Sequence, residues 1–173
     1  MRISLLICLT LITNLVNSQN ITFDQAQNLR KQSLANVEAF LTAKGWSMTE
    51  AEEATTENMG NATFGFNVDQ FDNEKASSWI NFYISSIKSS YNRISIQVHK
   101  SSLYSNFLTR MTPNGYKLKS TKIEDGAIKK VYANTTTTCV VRTSTAEGTY
   151  TKLTSYSFLF LDNLDYQLQY GDD

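Results

Sequence analysis

Between Arg93 and His99 the chain alternates without a break. Ile94, Ile96 and Val98 fall on one side of an extended backbone, and Arg93, Ser95, Gln97 and His99 fall on the other. Such a strand satisfies its side chains in a sheet with one dry face and one wet face, the habit of antiparallel sheets. Seven more segments read the same way: a strand opening at 46–48, then 63–68, 78–87, 116–124, 127–135, 137–145 and 149–161. The acidic, Thr-rich stretch Thr49 to Asn58 is either a solvated continuation of the first strand or a loop. Met59-Gly60-Asn61 turns the chain, and polar stretches at 70–75 and 89–92 have the length of hairpin connections. Asp125-Gly126 is the sharpest turn signal, because a two-residue type I′ hairpin needs positive φ at both positions. Ala146-Glu147-Gly148 joins the last two strands. Pro113, the single proline, falls outside every expected strand, as ladder hydrogen bonding requires.

Helical spacing interrupts the strands twice. Thr22-Phe23-Asp24-Gln25 fits a capping box, and Ala26, Leu29, Ser33, Val37, Phe40 and Leu41 recur three and four apart, which predicts one helix over 22–44. Lys44 suits its C-terminal dipole, Gly45 the left-handed position beyond it, and Trp46 can fold back on the last turn. A second, shorter helix starts at the caps Ser101-Ser102, carries Leu103, Phe107, Leu108 and Met111 as its apolar stripe, and stops at Pro113-Asn114-Gly115. Phe40-Leu41-Thr42 and Gly45-Trp46-Ser47-Met48 parallel Phe107-Leu108-Thr109 and Gly115-Tyr116-Lys117-Leu118. Four strands follow each helix. The expected fold is α+β: two tandem α-β-β-β-β units, halves 22–99 and 100–161, forming antiparallel sheet with the helices over one face.

The first eighteen residues have the order of a cleavable export leader. Arg2 is basic, 3–12 is apolar apart from Ser4 and Thr10, and Thr13 to Ser18 is polar, with Val16 and Ser18 placed for cleavage before Gln19. An apolar core of ten residues is too short to span a bilayer, which takes roughly 20. The reading is therefore a leader at 1–18 and a single domain at 19–173, working in the periplasm or outside the cell, with no membrane span. After cleavage 15 basic side chains face 16 acidic ones, a balance of −1, and no basic run offers a footprint for nucleic acid. Cys8 leaves with the leader. Cys139 then has no partner for an intramolecular disulfide, which excludes a disulfide scaffold.

Lys44-Gly45-Trp46 after the leader and N-terminal helix, followed by Trp79-Ile80-Asn81-Phe82-Tyr83, resembles uncharacterised secreted proteins of Bacteroidetes-type bacteria. The tandem layout also looks like the β-lactamase inhibitory protein architecture. That second resemblance implies a sheet surface used for binding another protein, and likeness of fold alone does not transfer function.

Catalytic chemistry has little to work with. There is no Gly-x-Ser-x-Gly elbow, no Ser-x-x-Lys and no second histidine beside His99. Cys139 with His99 as its base is the one nucleophile–base pair the composition permits, and the strand-like setting of Cys139 favours a buried small hydrophobe. Asp69, Asp72 and Glu74 come near calcium chemistry without the Gly and terminal Glu of an EF-hand loop. Glu50, Glu52 and Glu53 read as solvent contacts sooner than as a glycosidase pair. Asn20, Asn61 and Asn134 begin Asn-x-Thr, acceptor sequences only in a eukaryotic secretory path. No cofactor or metal is expected.

Aromatic content carries more weight. Nine Tyr, nine Phe and two Trp exceed what the core of an eight-stranded domain must hold. Several of Tyr83, Tyr91, Tyr104, Tyr132, Tyr150, Tyr156, Tyr166 and Tyr170 should therefore reach a surface, where rigid rings suit an interface, though cross-strand packing accounts for aromatics as well. Residues 135–147 hold seven Thr or Ser, either a flat contact surface or an exposed sheet face. The functional expectation is a non-enzymatic binding module for a protein or peptide. A carrier of a small apolar or glycan ligand and a hydrolase using His99 with Cys139 are the alternatives. A carrier needs a cavity of roughly 300 Å³.

Overall fold

The computed structural model describes residues 21–72, 75–147 and 152–171. The leader at 1–18, Asn20, Glu74 and Tyr150 lie outside them. In chain order the elements are α1 (Phe23–Leu29), α2 (Leu34–Thr42), β1 (Trp46–Glu52), β2 (Gly60–Phe66), β3 (Ser78–Ile84) and β4 (Arg93–Val98). They continue with α3 (Ser101–Met111), β5 (Lys117–Glu124), β6 (Ala127–Ala133), β7 (Thr137–Glu147), β8 (Lys152–Asp162) and α4 (Asn163–Tyr170). All eight strands form one sheet in the order β1-β2-β3-β4-β8-β7-β6-β5, and every neighbouring pair is antiparallel. The fold is α+β. The chain meanders from one edge to the centre, crosses by α3 to the far edge, and meanders back until β8 closes on β4.

The alternation read from Arg93 to His99 is what orients the sheet. Ile94 and Ile96 sit opposite Phe82 and Ile80 on β3 and opposite Phe160 and Phe158 on β8. One row runs unbroken across all eight strands: Ala51, Ala62, Phe82, Ile94, Phe160, Cys139, Tyr132 and Leu118. On this face Phe23, Ala26, Leu29, Val37, Leu41, Phe107 and Met111 from α1–α3 join the strand residues in one buried cluster. Phe23 sits edge-on to Phe107, Tyr116 and Phe160 at centroid distances of 6.1, 5.7 and 5.5 Å. Aromatics thus serve packing more than the surplus suggests: Tyr116 is buried, and Tyr104 stacks on Tyr156 at 4.4 Å.

The N-terminal helix is two helices. The capping box forms as expected, with Gln25 N donating to Thr22 Oγ1 and Thr22 N to Gln25 Oε1. The chain then leaves the helix at Arg30, and Ser33, expected on the apolar stripe, caps α2 by accepting from Asn36 N. Arg30 explains the break. Its buried guanidinium donates through Nη1 to Ser90 O at 2.8 Å and to Asn92 O at 3.2 Å, while Asn92 Nδ2 donates to Gln32 O. These bonds clamp the kink to the β3–β4 connection, whereas a continuous helix would carry the 30–33 segment past it. In α3 the expected Ser cap is not used; Lys100 occupies the cap position and makes no side-chain bond.

Helices lie on both faces, so the expectation of a single covered face needs correcting. Helix α4, absent from the sequence reading, packs on the opposite face, where Tyr166 joins Val131, Val140 and Leu161 in a second buried cluster. Strand β1 runs to Glu52, which makes the acidic stretch a solvated strand in its first half. Asp125 and Gly126 both take positive φ, 51° and 72°, the pattern of a type I′ turn. Each edge strand also carries an irregularity, β1 between Met48 and Glu50 and β5 between Leu118 and Ser120.

Candidate functional site

Helix α4 makes the most distinctive surface of the molecule. Asp162 caps it by accepting from Leu164 N at 2.9 Å. Tyr166 points into the sheet, with its hydroxyl buried, and stacks on Tyr170. With Tyr166 and Asp165 turned inward, Leu164 and Leu168 are left 51% and 79% exposed. Asp165 is tied to the sheet by Arg93, whose Nε and Nη2 donate to its two carboxylate oxygens at 2.7 and 2.9 Å, while Nη1 donates to Gln169 Oε1. Both partners of the ion pair are largely shielded from water. A two-pronged bond of this kind fixes an orientation as well as adding energy.

Beside that clamp runs an apolar groove of about 240 Å³, lined by Met59, Ile87, Tyr91, Leu164 and Leu168 with Arg93 and Asp165 among its walls. Ile87 is 79% exposed. Tyr83 lies opposite Arg93 in register, and partial burial pushes its phenol above the ordinary range, with Arg93 pulling it back. The other side of α4 holds a polar depression of about 360 Å³ that includes Lys119, Asn134, Thr138, Asn163 and Gln167. There Thr138 Oγ1 donates to Asn163 Oδ1 and Asn163 Nδ2 to Asn134 O, so much of its polarity is satisfied internally. A third, of about 260 Å³, is lined by residues of α1 and α2 and by Gln32 between them. None of these three depressions lies between the α1–α3 layer and the sheet.

The residues singled out from sequence do not converge. Cys139 is fully buried in the main core, and burial pushes its thiol well above the ordinary value, which opposes thiolate chemistry. It shares a row with Ile94, five positions from His99 and two strands away. At about 3.3 Å per residue the two are roughly 16 Å apart along the strands alone, so they form no nucleophile–base pair. His99 is half-buried, its Nδ1 enclosed without a hydrogen-bond partner among the described residues. Glu50, Glu52 and Glu53 are exposed along the β1 edge. Asp69 accepts from Phe71 N and Asp72 pairs with Lys75. Among the described residues no three His, Cys, Asp or Glu side chains gather as metal ligands, and no helix is long and apolar enough to cross a membrane.

Asn61 is half-buried on β2 and Asn134 is a turn residue whose Oδ1 accepts from Thr136 N and Thr137 N. In the Thr-rich segment Thr137 and Thr138 are buried, and Ser144 and Thr145 bond across to Ser155 and Thr154. No protein-family model matches the chain, and no curated protein or solved structure proves similar to it.

Proposed function

We propose that the chain is an exported, non-enzymatic binding module that takes an aliphatic segment of a protein or peptide partner into the groove beside α4. The observation that carries this reading is the grouping of Ile87, Leu164 and Leu168, exposed by 79, 51 and 79%, around one groove. Exposed aliphatic side chains scattered singly are ordinary, whereas a contiguous cluster rimmed by polar groups is typical of an interaction site. The half-buried Arg93–Asp165 pair at its wall supplies charge and hydrogen-bonding groups for register. At about 240 Å³ and open to solvent, the groove suits a side chain or two better than an enclosed small ligand, whose sites start at roughly 300 Å³.

Internal duplication belongs to the same proposal. The strand order is symmetrical about the β4–β8 pair. Gly45 and Gly115, the aligned glycines, take φ of 83° and 77°, and the bulges of β1 and β5 follow the aligned residues Met48 and Leu118. A half repeated by rotation about an axis normal to the sheet would have this layout. Helix α4 follows the second half only, so the groove would be an addition to the repeat.

The test is a photo-crosslinking residue placed at position 168 in the native cells, with position 38 on the outer side of α2 as the control. A discrete protein adduct at 168, absent at 38 and lost on Ile87→Lys, is the expected result. Equal labelling at both positions would remove the groove reading.

A further inference from the structure

We propose that copies of this chain associate head to tail, the β1 edge of one pairing antiparallel with the β5 edge of the next. This rests on the two sheet edges and is independent of the groove beside α4, to which neither edge strand contributes a residue.

Both outer strands are open. After Trp46 every residue of β1 is exposed, and β5 has no buried residue along its length. They are seven and eight residues long. With eight strands and antiparallel neighbours throughout, β1 and β5 run in opposite directions. A second copy displaced sideways in the plane of the sheet therefore presents its β1 antiparallel to β5, with the same face up.

The charges of the two edges are opposite and correctly placed for that arrangement. Glu50 and Glu52 lie at the C-terminal end of β1, and Glu53 follows; Lys117 and Lys119 lie at the N-terminal end of β5. Antiparallel pairing brings these two ends together. The register sharpens the match, because Ala51 and Leu118 terminate the same row across the sheet. Continuing that row into the next copy sets Ala51 beside Leu118, itself 54% exposed, and Glu52 beside Lys117 on the other face. At the far end it brings the 81%-exposed Ile123 up to Trp46 and Met48.

Edge lysines and bulges ordinarily protect a sheet from such pairing. Protection by charge works only against an edge of the same sign. Here it leaves the symmetrical alternatives unrewarded: a twofold β1–β1 pair sets the glutamate end against Trp46–Met48, where β1 carries no cation, while a twofold β5–β5 pair opposes Lys119 to Lys122 and sets Lys117 against a Glu124 already paired with Lys122, Lys129 and Arg142. The acidic edge against the basic one inverts the sign. Such a contact uses two different surfaces, so it yields rings or open chains rather than a closed dimer.

Sedimentation velocity of the purified chain over a range of concentrations decides the matter. The expected result is a mass that keeps growing past the dimer at low ionic strength, with an association constant roughly tenfold weaker in 0.5 M salt, where screening is nearly complete. E50K/E52K and K117E/K119E should each be monomeric. Mixed in equal amounts they should associate again, because each then offers the edge the other lacks. All four positions are exposed, and circular dichroism verifies that the variants fold. A wild-type chain that stays monomeric at low salt, one that stops at a dimer, or one whose association survives either charge reversal would overturn the proposal.

Discussion

Arg93 holds Asp165 with two nitrogens, Nε at 2.7 Å from Oδ2 and Nη2 at 2.9 Å from Oδ1, and so ties the first strand of the sheet's centre to the last helix. The two residues are 72 positions apart in sequence. Beyond the first turn, where Asn163 bonds to Thr138, Asn134 and Thr136, the clamp shares the anchoring of α4 with Tyr166 and Arg93's further bond to Gln169. Asp165→Ala should therefore cost about 2 kcal/mol, the loss of charge-assisted bonds that leaves a half-shielded guanidinium unpaired. Amide exchange should rise in 163–170 well before it rises in the sheet. Exchange that stays uniform would mean the clamp does not set the stability of α4.

Gly60 opens β2 where the chain has just turned back along β1. A Cβ at this position would stand 2.6 Å from Ala54 N and 2.7 Å from Glu52 O. Both neighbours are backbone atoms that cannot swing aside. Gly60→Ala should cost about 1–3 kcal/mol, the usual range for overpacking, read as a lower urea midpoint. Gly126→Ala is the control: a Cβ there meets nothing within 4 Å, and its φ of 72° leaves only the backbone strain of about 1–2 kcal/mol.

Much of the sheet was legible because its signals are local. Alternation in Arg93–Val98, the Asp125-Gly126 turn and the Thr22–Gln25 box each depend on residues a few positions apart. The kink at Arg30 was not legible, since Ala26, Leu29 and Val37 keep helical spacing across it and its cause is a set of carbonyls 60 and 62 residues away. Helix α4 escaped for a different reason: Tyr166 is its only buried residue, so no apolar stripe marks it. The groove was invisible because Met59, Ile87, Tyr91 and Leu168 come from separate segments that only the strand order brings together. The acidic stretch on β1 and the lysines of β5 could be seen, but their meaning as opposite edges of one sheet depended on knowing which strands lie outermost.

Alkaline pH should unfold the protein by a route set in the core. Burial pushes the Cys139 thiol above its ordinary value of 9.0 and the Tyr116 phenol above its ordinary 10.0. In the unfolded chain both groups ionise near those ordinary values, while in the fold they keep their protons. The unfolded state then binds fewer protons, so stability is fully present below about pH 9 and declines above it, by up to about 1.4 kcal/mol per pH unit for each group. Cys139→Ala should delay the onset of the decline to the tyrosine range. Urea midpoints between pH 7 and 11 measure this, and a flat profile to pH 11 would contradict it. The same burial predicts that a thiol reagent labels Cys139 only at the rate of unfolding.

Arg30 offers the most discriminating substitution of the N-terminal half. It is 3% exposed, and burial lowers its pKa from the ordinary arginine value, with Asp162, Tyr116 and Asp165 pulling the other way. Its bonds go to Ser90 O and Asn92 O, so removing it strands two carbonyls and empties the space at the kink. Arg30→Ala should cost about 3 kcal/mol, combining unpaired acceptors with a cavity. Arg30→Lys keeps the charge but has a shorter side chain, whose ammonium falls short of the point from which Nη1 reaches both carbonyls, so it should recover less than half of that loss. If the α1–α2 break were instead held by the Ser33 cap, Ser33→Ala would be the costlier change. Cap removal is expected to cost about 1 kcal/mol, so the order of the two urea midpoints decides which residue sets the kink.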